Sequence, residues 1–481
     1  MVALALPLTA CAQDTVGGDD PESIGLLSAE TGDGLRERTT GAEGYEDHHY
    51  VPETEVAISV SLPEFANAEP FTETLAARAD DEVQDFRAGT RDPVSLDIDW
   101  ELVAAADGVL GVRLLRTEED MHGLREGYAT YWYDGSSRHT AYSTELLAGQ
   151  EELDTLNDIV REGLSEDIEV DPDSLFPILR TYDSIGFNGD GDLVVEFDDG
   201  HLSPVEEGHV PSAEFGRKAV VVDHETAAPL LSDLGERARE ASLVEEADPR
   251  LPTAEDHDAQ DPPPGVFVPH VPDVNCHDGE TRCVALTFDD GPVEATPHLL
   301  DILAEEGVTA SFFLNGGPTL TRPGVLRRAY AEGHEIASHG DVHDPMNRME
   351  AEELPGQVAA VGAMIRRQTG HTVELFRPPF GATDEDVHGA IAEQDLVETM
   401  WTVDSRDWEN LKRDEIVENV IGRVEPGAVV LMHDPLPETL AAVPEIIERL
   451  RGLDYVFVTP TQAMGHPDPG YSFPEDWDGD W

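Results

Sequence analysis

Basic residues are scarce in this chain: 30 Lys and Arg stand against 101 Asp and Glu in 481 residues, a formal net charge of -71. That deficit argues against a basic surface for nucleic acid or an anionic bilayer. A surface this acidic keeps a protein hydrated and dispersed, and it suits either a salt-rich habitat that screens self-repulsion or an acidic secreted protein. Cysteine is nearly absent, with three residues, and no set of Cys and His at zinc-cluster spacing surrounds any of them. The apolar start, Met1 to Cys11, is too short to span a bilayer. What remains, 40% apolar and 27% charged residues, describes a soluble globular chain with room for two or more domains.

The start ends Leu8-Thr9-Ala10-Cys11, which resembles a bacterial lipobox. Such a signal is cut before the cysteine, whose thiol then carries a lipid, so the resemblance implies a bacterial cell-surface lipoprotein attached to the membrane only through Cys11. No Lys or Arg precedes the apolar run, the first basic residue being Arg36, so the true start is expected upstream. Cys276 and Cys283 are close enough for a short disulfide loop, which suits an exported protein.

Six segments are expected: a signal-like stretch (1–11), an acidic flexible tether (12–48), an α+β domain (49–244), a Pro- and Asp-rich linker (245–275), a larger C-terminal domain (276–465) and an acidic aromatic tail (466–481). In the first domain, alternation predicts strands at Thr54–Val60, Ser95–Ala104, Val109–Leu115, Tyr128–Asp134, Asp192–Phe197 and Lys218–Val222. Helices are predicted at Pro70–Gly89, Glu151–Glu162 and Ser174–Leu179. The aromatic run Tyr128–Tyr133 is read as packed core in preference to a sugar-stacking platform. Asp192 to Gly200, followed by Ala228-Pro229-Leu230-Leu231, is similar to the extracellular domain shared by lysozyme-sensing anti-sigma factors and some peptidoglycan deacetylases, which implies a protein or glycan ligand for this domain.

The C-terminal domain carries the chemistry. Val284 to Phe288 is an apolar strand emptying into Asp289-Asp290-Gly291-Pro292, and two adjacent carboxylates at a buried strand end need partners or a metal. Downstream, Ser338-His339-Gly340-Asp341-Val342-His343 puts two imidazoles four residues apart, within reach of one ion. One carboxylate and two histidines make a facial triad that leaves positions open for water and substrate. Arg377-Pro378-Pro379-Phe380-Gly381, Asp404-Ser405-Arg406-Asp407-Trp408 and Leu431-Met432-His433-Asp434 follow in order. By contrast, Phe197-Asp198-Asp199-Gly200 echoes the first motif with no His pair behind it, and is read as a plain strand turn.

The ordered set resembles the polysaccharide deacetylases of the NodB-homology group, carbohydrate esterase family four. The resemblance implies a distorted, incomplete (β/α) barrel, a fold class that the alternation of apolar strands with helices over 284–459 also supports. It further implies that Asp290, His339 and His343 hold a divalent metal, zinc or else cobalt, manganese or nickel. Asp289 would be the general base, paired with Arg377, and His433 the general acid, backed by Asp407. The Phe380 backbone N–H would bind the oxyanion, Trp408 would wall the groove and Leu431 would line the acetyl pocket. The implied substrates are N-acetylated polysaccharides: peptidoglycan first, chitin oligomers next. An O-acetyl xylan esterase, or a surface protein that binds glycan or senses lysozyme without catalysis, is the alternative. Two departures stand out: Gly340 where Ser or Thr is common, and Pro435-Leu436 where Ile-His often follows.

Overall fold

The computed structural model describes residues 25–28, 45–50, 56–165, 170–203, 209–212, 218–244, 251, 274–434, 436–475 and 477. Cys11, most of the linker and Pro435 lie outside them.

The first domain runs through β1 (Gly25–Ser28), β2 (Tyr45–Tyr50), β3 (Ala57–Phe65), α1 (Glu69–Gly89), β4 (Ser95–Ala106), β5 (Val109–Asp120), β6 (Gly123–Asp134), β7 (His139–Tyr142), α2 (Gln150–Leu164), β8 (Ile185–Phe187), β9 (Leu193–Phe197), β10 (Lys218–Val222), α3 (His224–Ala227) and α4 (Asp233–Ser242). One sheet has the order β2-β3-β4-β5-β6-β7, the other β1-β10-β9-β8. The β4–β5 hairpin turns on Asp107 and Gly108, both at positive φ, the backbone that a two-residue hairpin of the strands' twist requires. Helix α1 buries Phe71, Leu75, Ala79, Val83 and Phe86, residues spaced three or four apart, against the six-stranded sheet. Along β6, Tyr131 and Tyr133 join that core while Trp132, on the opposite face, joins the next one. The aromatic run is therefore core.

Two expectations need correction here. The predicted helix Ser174–Leu179 is only a short 3-10 turn, Pro172–Ser174, followed by irregular chain, because Pro177 cannot donate the amide that a helix needs. The tether expected over 12–48 contains β1, paired with β10, and runs into β2, paired with β3.

The second domain contains β11 (Arg282–Gly291), α5 (Thr296–Glu306), β12 (Ser311–Leu314), α6 (Gly316–Thr321), α7 (Pro323–Ala331), β13 (Glu335–Ser338), α8 (Leu354–Thr369), β14 (Leu375–Phe376), α9 (Glu385–Ala392), β15 (Val397–Thr399), β16 (Val403–Asp404), α10 (Arg413–Ile421), β17 (Ala428–His433), α11 (Pro437–Gly452), β18 (Tyr455–Phe457), α12 (Pro460–Met464) and β19 (Ser472–Phe473). The sheet order is β16-β17-β11-β12-β13-β14-β15-β19, with β18 against the start of β11, and every pairing is parallel. It is a curled, unclosed (β/α) barrel.

The stretch Glu398–Val403, apolar enough for one continuous strand, is divided between β15 and β16 towards the two sides of the opening, joined by Met400–Thr402. Carbonyls at that seam find a side chain where a strand would have been: Arg377 donates from Nε to the Thr399 carbonyl at 2.9 Å and from Nη2 to the Met400 carbonyl at 3.1 Å. Residues of the expected tail extend the sheet on the β15 side, since β19 pairs with β15 and the Trp477 ring packs edge-on against Trp401 at 4.7 Å between centroids. Cys276 and Cys283 form a disulfide at the foot of β11.

The domains are docked. Gly89 of α1 lies against Ala363 and Met364 of α8, where an added Cβ would meet them at 3.1–3.2 Å. Arg366 of α8 pairs with Asp85, and Arg367 with Glu118 and Thr90.

Candidate metal centre and its proton carriers

The apolar residues Val284, Leu286 and Phe288 of β11 are buried in the barrel core, and this strand delivers its carboxylates at its C-terminal end. In a regular strand, neighbours point to opposite faces. A register shift between Asp289 and Gly291, with Asp290 at φ 73, turns both carboxylates toward one mouth. His339 shows the convergence: its Nε2 is 3.7 Å from Asp289 Oδ2 and 3.7 Å from Asp290 Oδ1. Gly291 permits the next close approach, because a Cβ there would stand 2.3 Å from Asp434 Oδ2. Gly291→Ala is expected to lower stability by about 1–3 kcal/mol through overpacking, measured by urea unfolding; an unchanged midpoint would show that Asp434 yields.

Asp289 is buried. Arg377 donates from Nη1 to its Oδ1 at 2.6 Å and to Thr287 Oγ1 at 2.9 Å, with the guanidinium 3.8 Å from the centre of the Phe313 ring. Burial lifts the Asp289 carboxyl above its ordinary range, while Arg377 and then His433 pull the other way.

Asp290, His339 and His343 bring one ligand atom each within 4.8 Å of one another. Three observations fit this set to a divalent cation. Asp290 Oδ1 is buried without a hydrogen-bond partner. His339 Nδ1 donates to the Arg377 carbonyl at 2.7 Å, which leaves the Nε2 lone pair facing the carboxylates. Burial, above all, pushes the His339 imidazole down to about 3, so it is neutral and able to ligate. His343 Nε2 is 3.2 Å from Asp290 Oδ1, and its ring rests 4.4 Å from that of Phe380. Gly340 stands at φ 79, a conformation that Ser or Thr adopts only with strain, so the loop's backbone accounts for the glycine.

On the neighbouring strand, His433 pairs with Asp289 in the β11–β17 register. Its Nδ1 is 2.7 Å from Asp407 Oδ1, and its backbone N–H donates to Asp407 Oδ2 at 2.8 Å. Burial works against the imidazolium, yet the Asp407 hydrogen bond and charge, with Asp289 and Asp290, lift His433 to about 9. Leu431, two residues earlier on the same strand face, is 4% exposed and packs with Met400 and Trp401. Phe380 and Trp408 are 63% and 51% exposed, the Trp408 indole donating to Asp404 Oδ2 at 3.3 Å.

Several supporting residues escaped sequence reasoning. Asn315 donates from Nδ2 to the His339 and Gly340 carbonyls at 2.8 and 3.1 Å. Its signal was available, since it follows β12 directly at the strand end where barrels keep their sites. Thr439 donates to Asp407 Oδ2 at 2.6 Å and Thr296 to Asp434 Oδ2 at 2.5 Å, and neither has a local signature.

Fold and site together define a class: incomplete parallel (β/α) barrels with an aspartate-dihistidine centre at the C-terminal mouth, flanked by a buried carboxylate and a carboxylate-backed imidazole. A sequence profile described as polysaccharide deacetylase matches residues 277–398. A chitooligosaccharide deacetylase of Bradyrhizobium sp. is 39% identical over 159 residues, covering 33% of this chain and 73% of that protein. The chain belongs to the polysaccharide deacetylase family. A peptidoglycan-N-acetylglucosamine deacetylase of Listeria monocytogenes is 33% identical over 204 residues, and the match spans 42% of each chain, well under half of the relative's length. Among solved structures, a peptidoglycan deacetylase of Bacillus subtilis is 30% identical over 39% of this chain and 92% of its own, with a TM-score of 0.37. The likeness expected for residues 49–244 is not confirmed by these comparisons.

Proposed function

We propose that this protein is a metal-dependent hydrolase that removes N-acetyl groups from cell-wall polysaccharide, with peptidoglycan as the favoured substrate and chitin oligomers next. The observation that carries the reading is the placement of Asp289 and His433 on paired strands, at the strand end where Asp290, His339 and His343 gather. A deacetylase needs both a proton acceptor and a proton donor there, whereas a glycan-binding protein needs neither.

A divalent ion, zinc by preference for this nitrogen and oxygen donor set, would be held by Asp290, His339 and His343 and would supply Lewis acidity and an acidified water. Asp289, kept ionised and aimed by Arg377, takes the proton of the attacking water. The Phe380 backbone N–H binds the oxyanion, and His433, kept protonated by Asp407, gives its proton to the departing sugar nitrogen. Trp408 walls the glycan groove and Leu431 bounds the acetyl group. The Cys276–Cys283 bridge favours an oxidising compartment, in keeping with export and a lipid on Cys11.

The test is mass spectrometry of muropeptides and chitin oligomers treated with the full chain, with and without chelator and restored Zn2+. Loss of acetyl mass that the chelator blocks is the expected result. Acetate from acetylxylan alone would redirect the substrate, and release from nothing under any added metal would leave a binding protein. For the acid, Asp407→Asn is expected to move the basic limb of the pH–rate profile down from near 9: removing the carboxylate lets His433 shed its proton at lower pH. An unmoved limb would take His433 out of the acid role.

A further inference from the structure

The two histidines of the metal loop are held very unequally. His339 is fixed on three sides: its amide donates to the Leu314 carbonyl at 2.8 Å, its ring to the Arg377 carbonyl, and its own carbonyl accepts from Asn315. His343 has a side chain 37% exposed, so its place depends on the three residues that carry it out from His339. Gly340 offers no side chain, and Val342 is itself exposed, with its amide on Gln357 Oε1 at 3.1 Å. Asp341 is different. Its side chain is 9% exposed, and both of its oxygens are taken, at 2.5 Å each, by the two terminal nitrogens of Arg91.

Arg91 belongs to the first domain, two residues past the end of α1. Its neighbours hold it in place: Gly89 is packed on α8 and Thr90 is bonded to Arg367. Gln357, from the same α8, takes the amides of Asp341 and Val342, at 3.3 Å on its carbonyl and 3.1 Å on its side chain. A planar fork on a carboxylate fixes orientation as well as distance, which a lone ammonium does not.

We infer that Arg91 is a positioning residue of the metal centre, acting through Asp341 to set the loop that presents His343, so that the first domain is a working part of the site. This rests on the reading of Asp290, His339 and His343 as the ligands. Supporting partners of metal ligands typically govern affinity by about 10–100-fold when removed.

The experiment measures Zn2+ dissociation constants of the full chain by competition with a chromophoric chelator, and the visible absorption of the Co2+ form, for wild type, Arg91→Ala, Arg91→Lys, Asp341→Asn, Arg91→Ala with Asp341→Asn, and Arg366→Ala. Weakening of about 10–100-fold is expected for Arg91→Ala, with an altered Co2+ spectrum, partial recovery in Arg91→Lys, and a double variant no worse than Asp341→Asn alone. Arg366→Ala, which loosens the domain contact away from the loop, is expected to lower the melting temperature and leave affinity and spectrum alone. A Zn2+ constant for Arg91→Ala within twofold of wild type, or an equal loss in Arg366→Ala, overturns the inference. Failure of the wild type to bind either metal overturns the ligand reading, and this inference with it.

Discussion

Asp289→Asn is expected to reduce acetate release from N-acetylated glycan by about 10²–10⁴-fold, the range associated with losing a positioned proton carrier. Asparagine keeps the shape and still accepts from Arg377, but it cannot take a proton from water. Asp290, His339 and His343 are untouched, so the variant should bind Zn2+ as the wild type does. The Arg377 guanidinium, wholly buried, then loses its only paired carboxylate among the described residues, and thermal stability should fall as well. Steady-state rates at 20 °C, well below the new melting point, separate the effects. A folded Asp289→Asn protein retaining more than a tenth of wild-type turnover would remove Asp289 from the base role.

His339→Ala should act at an earlier stage. His339 is the ligand held at both its backbone and its ring, and without it the remaining carboxylate and half-exposed imidazole form a two-donor site. The expected weakening of Zn2+ binding exceeds the roughly 100-fold ceiling for losing a supporting partner, and turnover should fall to the level of the chelated wild type. Added chelator should then make no further difference. Equilibrium dialysis reads the first outcome and acetate release the second; wild-type affinity in His339→Ala would mean that the ion binds elsewhere.

The site's chemistry was legible in sequence because its donors sit in short runs: Asp289 with Asp290, His339 with His343, Asp407 with Trp408, His433 with Asp434. Each run lies at or just past a strand end, and the strand is announced by its own apolar residues, as Val284 to Phe288 and Ala428 to Met432 show. The supporting residues were hidden because their reason lies across the fold. Arg91 and Asp341 are separated by 250 positions, and nothing near Arg91 distinguishes it from the chain's other arginines. Strand limits failed where tertiary structure overrode local pattern. Apolar Met400 and Trp401 extend the β15 pattern, yet they cross the seam because strand pairing ends there and Arg377 takes over the carbonyls. At 174–179 the breaker is local: Pro177 cannot supply a helical amide, and this overrides the apolar spacing around it.

The seam itself limits how the molecule can deform. The end of β15 is tied to the start of β16 by four residue steps, Thr399 to Val403, so these two strand ends cannot separate by more than about 14 Å even with that tie pulled straight.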